Sequence, residues 1–217
     1  MPMSFISPNF THEKLENASY MDLVDVFEDR MLSWLLEPMG HLLGHPNGEV
    51  AAMALAMSYF EGIEIYQSGK DSKDHSKEYF RRGFQRVFLV ETEGAHFFDE
   101  LVNALYVQAR CGFAHDGLFR NRVFFISTLG RPILATWPKV NGMFDEKGHL
   151  ESVVINPTLF CDALRVHFAR YVASLRAQTE EEIKRNFLAA IALKWGLDEP
   201  DRVIGISEEA FNLLGKI

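Results

Sequence analysis

Arg110 and His115 stand five positions apart in the stretch LYVQARCGFAHDGLF, residues 105–119. Arginine binds phosphate through paired donors and stabilises negative charge that develops in a transition state. Histidine titrates near neutral pH and can move protons in both directions. Together the two side chains could cleave an RNA phosphodiester, because the neighbouring 2′-hydroxyl supplies the nucleophile and neither a protein nucleophile nor a metal ion is required.

Small residues surround this pair. Gly112 and Gly117 allow close approach by a backbone or a ligand, and Asp116 follows the histidine and could orient it. On one regular helix five residues span about 140° of rotation. Both side chains therefore face one site only if the helix breaks or if two copies meet across a twofold axis. The alternative is structural: Arg110 caps a helix C-terminus, where cations are favoured, and His115 is a hydrogen-bonded turn residue.

Other residues whose side chains could take part in chemistry are weaker candidates. His41 and His45 have the i, i+4 spacing of zinc ligands, but they lack the glutamate of the HExxH motif and a third ligand. We therefore favour a turn with two polar side chains over a helical metalloprotein. His167 lies on an apolar stripe and is predicted to be a hydrogen-bonded core or interface residue. Cys111 and Cys161 show no arrangement typical of a nucleophile. The sequence predicts no metal and no cofactor.

The net charge of −8 argues against a protein that coats nucleic acid by bulk electrostatics. Residues 1–50 are strongly acidic, whereas the middle of the chain is locally basic at Lys70, Lys73, Lys77, Arg81, Arg82, Arg86, Arg110, Arg120 and Arg122. We favour a solvated helix face; a basic surface around residues 105–119 is the alternative. Glu61 lies opposite the apolar stripe of its helix. Acids placed like Glu61 and Glu64 are predicted to be solvated, and they matter only if that face meets another surface.

Helical periodicity dominates the chain. Predicted helices cover about 15–43 (one helix or a broken pair), 49–69 with Gly69 as its stop, 76–90, a helix from about 96 through the Arg110 segment, one that opens at Asn156-Pro157, and one that ends near Trp195. Three short β-branched or aromatic runs predict a small antiparallel meander. The sequence therefore predicts one mostly α-helical domain over residues 1–217, with a β insertion at about 122–155.

The predicted compartment follows from what the sequence lacks. Two cysteines cannot define a disulfide framework, and the N-terminus has no basic leader followed by an apolar run. No stretch is long and apolar enough to cross a membrane. These features predict a cytoplasmic protein without a membrane partner.

The run Arg-Cys-Gly-Phe-Ala-His at 110–115 resembles the signature of the HEPN superfamily, an arginine followed after four to six residues by a histidine at the end of a long helix. The fuller run LYVQARCGFAHDG is similar to HEPN variants with an AHDG element, and SYFEGIEIYQSG resembles the earlier core helix of the group. As a fold the resemblance spans about residues 20–195. It implies a HEPN-like helical bundle that dimerises through the helices carrying the motif.

Many HEPN proteins are metal-independent endoribonucleases of toxin–antitoxin or phage-defence systems. The resemblance implies that Arg110 steadies the scissile phosphate of RNA and that His115 transfers protons or positions the 2′-hydroxyl, in a homodimer that an antitoxin or other regulatory protein controls. Cys111 stands where many active members carry Asn, Asp or His. This departure favours the alternative, a non-catalytic HEPN-like module that dimerises and binds a partner.

Overall fold

The structure, a computed structural model, describes residues 5–88, 95–145 and 148–195. Helices make up 65% of it, which confirms the mostly α class. The described residues group into two compact units, one formed by 5–34, 65–73 and 170–195 and the other by 35–64, 74–88, 95–145 and 148–169. The single domain over residues 1–217 stays a prediction.

The helices follow the predicted periodicity. Their bounds are α1 Tyr20–Met31, α2 Glu37–Leu43, α3 Glu49–Ser68, α4 Ser76–Val87, α5 Ala95–Ala104, α6 Gly112–Asp116, α7 Pro157–Ala177 and α8 Glu181–Trp195. Gly69 ends α3 with φ +68°, and Asn156 caps α7, because its Oδ1 accepts from the Leu159 amide at 3.2 Å. Val90, the predicted end of the 76–90 helix, lies outside the described residues.

Two π-helical segments, Leu32–Leu36 and Leu105–Cys111, join α1 to α2 and α5 to α6 without a break. In a π-helix the backbone hydrogen bonds link residues five apart, and such segments are frequent at functional sites. The first segment makes the predicted 15–43 region one continuous helical run from Tyr20 to Leu43. The second segment carries Arg110.

The β elements differ from the predicted meander. The strands are β1 Phe5–Ser7, β2 Phe10–Thr11, β3 Val123–Phe125, β4 Ile133–Thr136, β5 Lys139–Val140, β6 Met143–Phe144 and β7 Ser152–Ile155. β1 pairs with β2 and β5 with β6, whereas the insertion's main sheet has the order β3-β7-β4. β7 runs parallel to β3 and antiparallel to β4. The antiparallel prediction is therefore right for β4 and β7 but wrong for β3, which lies parallel to β7. β7, with Val153 and Ile155 fully buried, takes the central position.

Each unit has its own aromatic core. In the first, the Phe27 ring lies 4.4 Å from Tyr66, 6.2 Å from Tyr171 and 5.3 Å from Phe187. In the second, the Phe60 ring lies 5.2 Å from Phe80, 5.1 Å from Phe84 and 5.8 Å from Phe160. Phe60 thus joins α3 to α4 and α7, and the second unit is the one that contains Arg110 and His115.

Candidate active site

Arg110 is held in place by residues of two helices. Its Nη2 donates to Oε2 of Glu61 on α3 at 3.1 Å, and the two side chains are 30% and 18% exposed. The guanidinium lies 5.6 Å from the centre of the Tyr106 ring, a distance at which a cation is attracted by the ring face. The prediction that Glu61 is solvated is therefore wrong, because it faces Arg110.

Tyr106 and Cys111 both lie in the π-helical segment, five residues apart. Their side chains interact, and Cys111 also interacts with Arg110. Burial raises the pKa of Tyr106, and Cys111 and Glu61 add to this rise while Arg110 opposes it. Burial acts to lower the pKa of Arg110, but the charge of Glu61 and the contacts with Tyr106 and Cys111 outweigh it, so this pKa is raised. Arg110 therefore stays cationic.

His115 lies in the last turn of α6 and is exposed. Within the described ranges no group hydrogen-bonds to its imidazole. The following residue, Asp116, accepts from Nε of Arg120 at 2.5 Å, and this bond lowers the pKa of Asp116. The interaction of His115 with Asp116 is electrostatic only, and it adds a smaller contribution that lowers the pKa of Asp116. The Asp116 carboxylate is thus turned to Arg120 rather than orienting His115.

Two glycines shape the turn after the histidine. Gly117 ends α6 in the left-handed region at φ +72°, with its amide donating to the Phe113 carbonyl at 3.0 Å. The chain then folds back, and the Arg120 amide donates to the Gln108 carbonyl at 2.9 Å. A Cβ on Gly112 would lie 2.9 Å from the Leu118 carbonyl oxygen. Gly112 is therefore required for the returning chain to pack on the helix.

Replacing Gly112 with alanine is expected to loosen this return. The added methyl must displace the Leu118 backbone, at a cost of about 1 kcal/mol, and the Arg120 amide should exchange its hydrogen about fivefold faster, the factor that corresponds to this energy. Hydrogen exchange followed by mass spectrometry of peptides covering 117–122 measures the change. Gly130→Ala is the control, because no atom lies within 4 Å of a Cβ there; equal exchange in both variants would contradict the packing role.

The remaining candidates lie apart from this cluster. His41 is in the last turn of α2 and His45 lies beyond its end, and both are exposed. Among the described residues there is no group of three His, Cys, Asp or Glu side chains that could hold a metal ion. His167 is confirmed as hydrogen-bonded, since its Nδ1 lies 2.7 Å from the hydroxyl of buried Tyr59. Burial raises the pKa of the Cys161 thiol to about 12.

The predicted basic face on α4 is paired with acids. Arg81 donates to Asp99 at 2.8 Å, Arg82 to Glu78, and Arg86 to Glu64 at 2.5 Å. An open cleft of about 470 Å³ beside α4 and α5 is lined by both signs of charge, with Lys77, Arg81, Asp74, Glu78 and Asp99 among its residues. These pairs leave little uncompensated positive charge on α4. The solvated-face interpretation fits this helix better than a nucleic-acid surface.

Sequence reasoning missed Glu61 and Tyr106 as partners of Arg110. Tyr106 stands four positions before Arg110, a spacing at which helical side chains meet, so its contact was accessible from the sequence. Glu61 lies 49 positions away, and no local pattern links it to Arg110. The prediction that Glu64 is solvated is also wrong, because its side chain is 1% exposed.

No helix within the described ranges is long and apolar enough to cross a membrane. Comparisons with protein-family models, with curated proteins and with solved structures find no match for this chain. The resemblance to HEPN proteins therefore rests on the motif itself, and the function has to be argued from the geometry around Arg110 and His115.

Proposed function

We propose that this protein is a metal-independent endoribonuclease that acts as a homodimer through Arg110 and His115. The proposal rests on the different surroundings of these two side chains, which belong to one continuous helical run. Arg110 is fixed by Glu61 and Tyr106 yet 30% exposed, whereas His115 is exposed on the last turn of α6. A fixed cation and an accessible proton carrier on the same helical run match the needs of phosphodiester cleavage.

The reaction uses the RNA's own nucleophile. His115 takes the proton of the 2′-hydroxyl, the 2′-oxygen bonds to phosphorus, and the bond from phosphorus to the 5′-oxygen breaks. A second imidazolium, from the partner's His115, gives a proton to the leaving 5′-oxygen, so the products are a 2′,3′-cyclic phosphate and a 5′-hydroxyl. Arg110 has five N–H donors, of which one bonds to Glu61. Its side chain also interacts with Cys111, and the remaining donors can hold the phosphate as its charge builds up.

The first test is cleavage of a labelled single-stranded RNA by the purified protein in the presence of EDTA. We expect His115→Ala to reduce the cleavage rate by about 10²-fold or more, the usual contribution of a general acid–base group. His41→Ala is the matched control, since it removes another exposed histidine. A DNA of the same sequence should stay intact, because it lacks the 2′-hydroxyl. Intact RNA with the wild-type protein, or equal rates for wild type and His115→Ala, would refute the proposal.

A second candidate function is a non-catalytic module that dimerises or binds a partner. The ion pair of Arg110 with Glu61 favours it, because both charges are already matched inside the chain. The ion pair of Asp116 with Arg120 favours it in the same way. On this hypothesis Arg110→Ala lowers the melting temperature or partner binding, and there is no RNA cleavage to lose. Arg110→Lys separates the two functions. Lysine keeps a positive charge opposite Glu61 but lacks the paired donors that phosphate requires.

A further inference from the structure

The sheet of the β insertion has an exposed apolar face. Strand register places Phe124, Val154 and Leu134 in one row across β3, β7 and β4. Phe124 is 54% exposed and Leu134 37% exposed, while the alternating residues Val153 and Ile155 are fully buried on the opposite face. Ile126, just beyond β3, is 45% exposed. We call Phe124, Ile126, Leu134 and Val154 the outer sheet face.

The residues around β3 and β4, the two outer strands of this sheet, are positively charged although the protein as a whole is acidic, whereas exposed Glu151 precedes the central strand β7. Residues 117–144 contain Arg120, Arg122, Arg131 and Lys139 and no Asp or Glu, in a chain of net charge −8. Arg120 is neutralised by Asp116. Arg122 and Arg131 are exposed, and Arg122 uses one donor on the Leu150 carbonyl at 3.1 Å. An exposed aromatic ring among cations is suited to a polyanion that has flat faces to stack.

Single-stranded RNA has that chemistry, because its bases stack on aromatic side chains while its phosphates attract cations. We propose that the outer sheet face binds single-stranded RNA, with a base stacked on Phe124 and the flanking phosphates held by Arg122 and Arg131. This inference rests on the proposed function, since the outer sheet face would bind the RNA that the Arg110–His115 site cleaves. The charge favours a polyanion over a protein partner: an apolar face alone would suit a protein, but exposed Arg122 and Arg131 flank the outer strands β3 and β4.

A chain of aromatic rings ties this face to the site. The Phe113 ring, two residues before His115, lies 5.9 Å from Phe119, which lies 5.3 Å from Phe125 of β3. Phe125 and Phe124 alternate across the strand, so the inner residue anchors β3 while the outer one stays exposed. The hydrogen bond from the Arg120 amide to the Gln108 carbonyl holds the same segment against the helix. RNA stacked on Phe124 is thus held by a segment that is packed against the helix end carrying His115.

The test measures binding separately from cleavage. Full-length protein carrying His115→Ala is titrated into a fluorescein-labelled single-stranded RNA of about 12 nucleotides, within the range that such surfaces cover, and anisotropy gives the Kd. We expect Phe124→Ala to weaken binding about tenfold, within the range for loss of one stacked base. Phe124→Leu should weaken it nearly as much, because leucine keeps apolar bulk without a ring, whereas Phe124→Trp should retain it. Arg131→Gln should weaken binding and make it less dependent on salt.

Matched controls exclude general effects. Trp34→Ala removes a ring of similar exposure, 53%, in the other unit, and Arg185→Gln removes an exposed cation of α8; neither should change the Kd. The inference is overturned if the His115→Ala protein does not bind RNA, or if adding Phe124→Leu to it leaves the Kd unchanged. It is also overturned if Phe124→Ala changes only the oligomeric state in sedimentation, which would mean that a second copy covers the face. Phe124-dependent binding by a protein that never cleaves RNA would refute the proposed enzyme while supporting this site.

Discussion

Replacing Gly83 with alanine is expected to lower the free energy of unfolding of the second unit by about 3 kcal/mol, the upper end for overpacking. Gly83 is buried on α4, and a Cβ there would lie 1.9 Å from the Phe60 carbonyl oxygen of α3. No rotamer can relieve this contact, because both atoms are fixed to the backbones of two helices. The helices must separate, and the rings of Phe60, Phe80 and Phe84 then lose their packing.

The measurement is urea or thermal unfolding, in which we expect Tm to fall by about 6–12 °C. Gly62→Ala is the control in the same unit, since it lies inside α3 and no atom is within 4 Å of a Cβ. Alanine is favoured over glycine in a helix by about 1 kcal/mol, so Gly62→Ala should leave Tm unchanged or raise it. If the two variants unfolded at the same temperature, the close crossing of α3 and α4 at Gly83 would be wrong.

The sequence predicted those elements whose physics is local. The apolar stripes predicted the helices, and Gly69 and Asn156 marked a helix end and a helix start that the structure reproduces. These signals work because a helix boundary depends on a few adjacent residues: a left-handed position that suits glycine, or a side-chain oxygen near a free amide. The hydrogen bond of His167 followed from a similar local argument, because a polar side chain on an apolar stripe needs a partner.

The sequence did not predict features that depend on tertiary contact. The pairing of Glu61 with Arg110 joins residues 49 positions apart, and periodicity could place Glu61 only off the apolar stripe of its own helix. The π-helical segment around Arg110 shifts the side-chain period from the α-helical value, so the interaction of Tyr106 with Cys111 could not be predicted from the sequence. The strand order β3-β7-β4 was missed because hydrophobic runs identify strands without stating which strand becomes central.

Buried Glu64 is the basis of the second large prediction. Its side chain is 1% exposed and accepts from Arg86 Nε at 2.5 Å and Nη2 at 3.4 Å. Arg82 comes no closer than 4.0 Å, and the Arg86 side chain is 42% exposed. The two partners are therefore not equivalent. Removing Arg86 leaves a carboxylate inside the protein with little compensation, whereas removing Glu64 leaves an arginine that can turn to water.

We expect Arg86→Ala to lower the free energy of unfolding by about 2–3 kcal/mol, somewhat less than for a fully buried pair because water can reach the arginine side. Glu64→Met, which keeps the volume without the charge, should cost about 1 kcal/mol or less. The double variant should then be more stable than Arg86→Ala alone, because no uncompensated charge remains, and a double-mutant cycle from urea unfolding measures this coupling. Arg81→Ala is the control on the same helix, since Arg81 and Asp99 are 43% and 64% exposed and such pairs contribute about 0–1 kcal/mol. Additive losses in the cycle would show that Glu64 does not depend on Arg86, and that α3 and α4 are joined at this point by apolar packing alone.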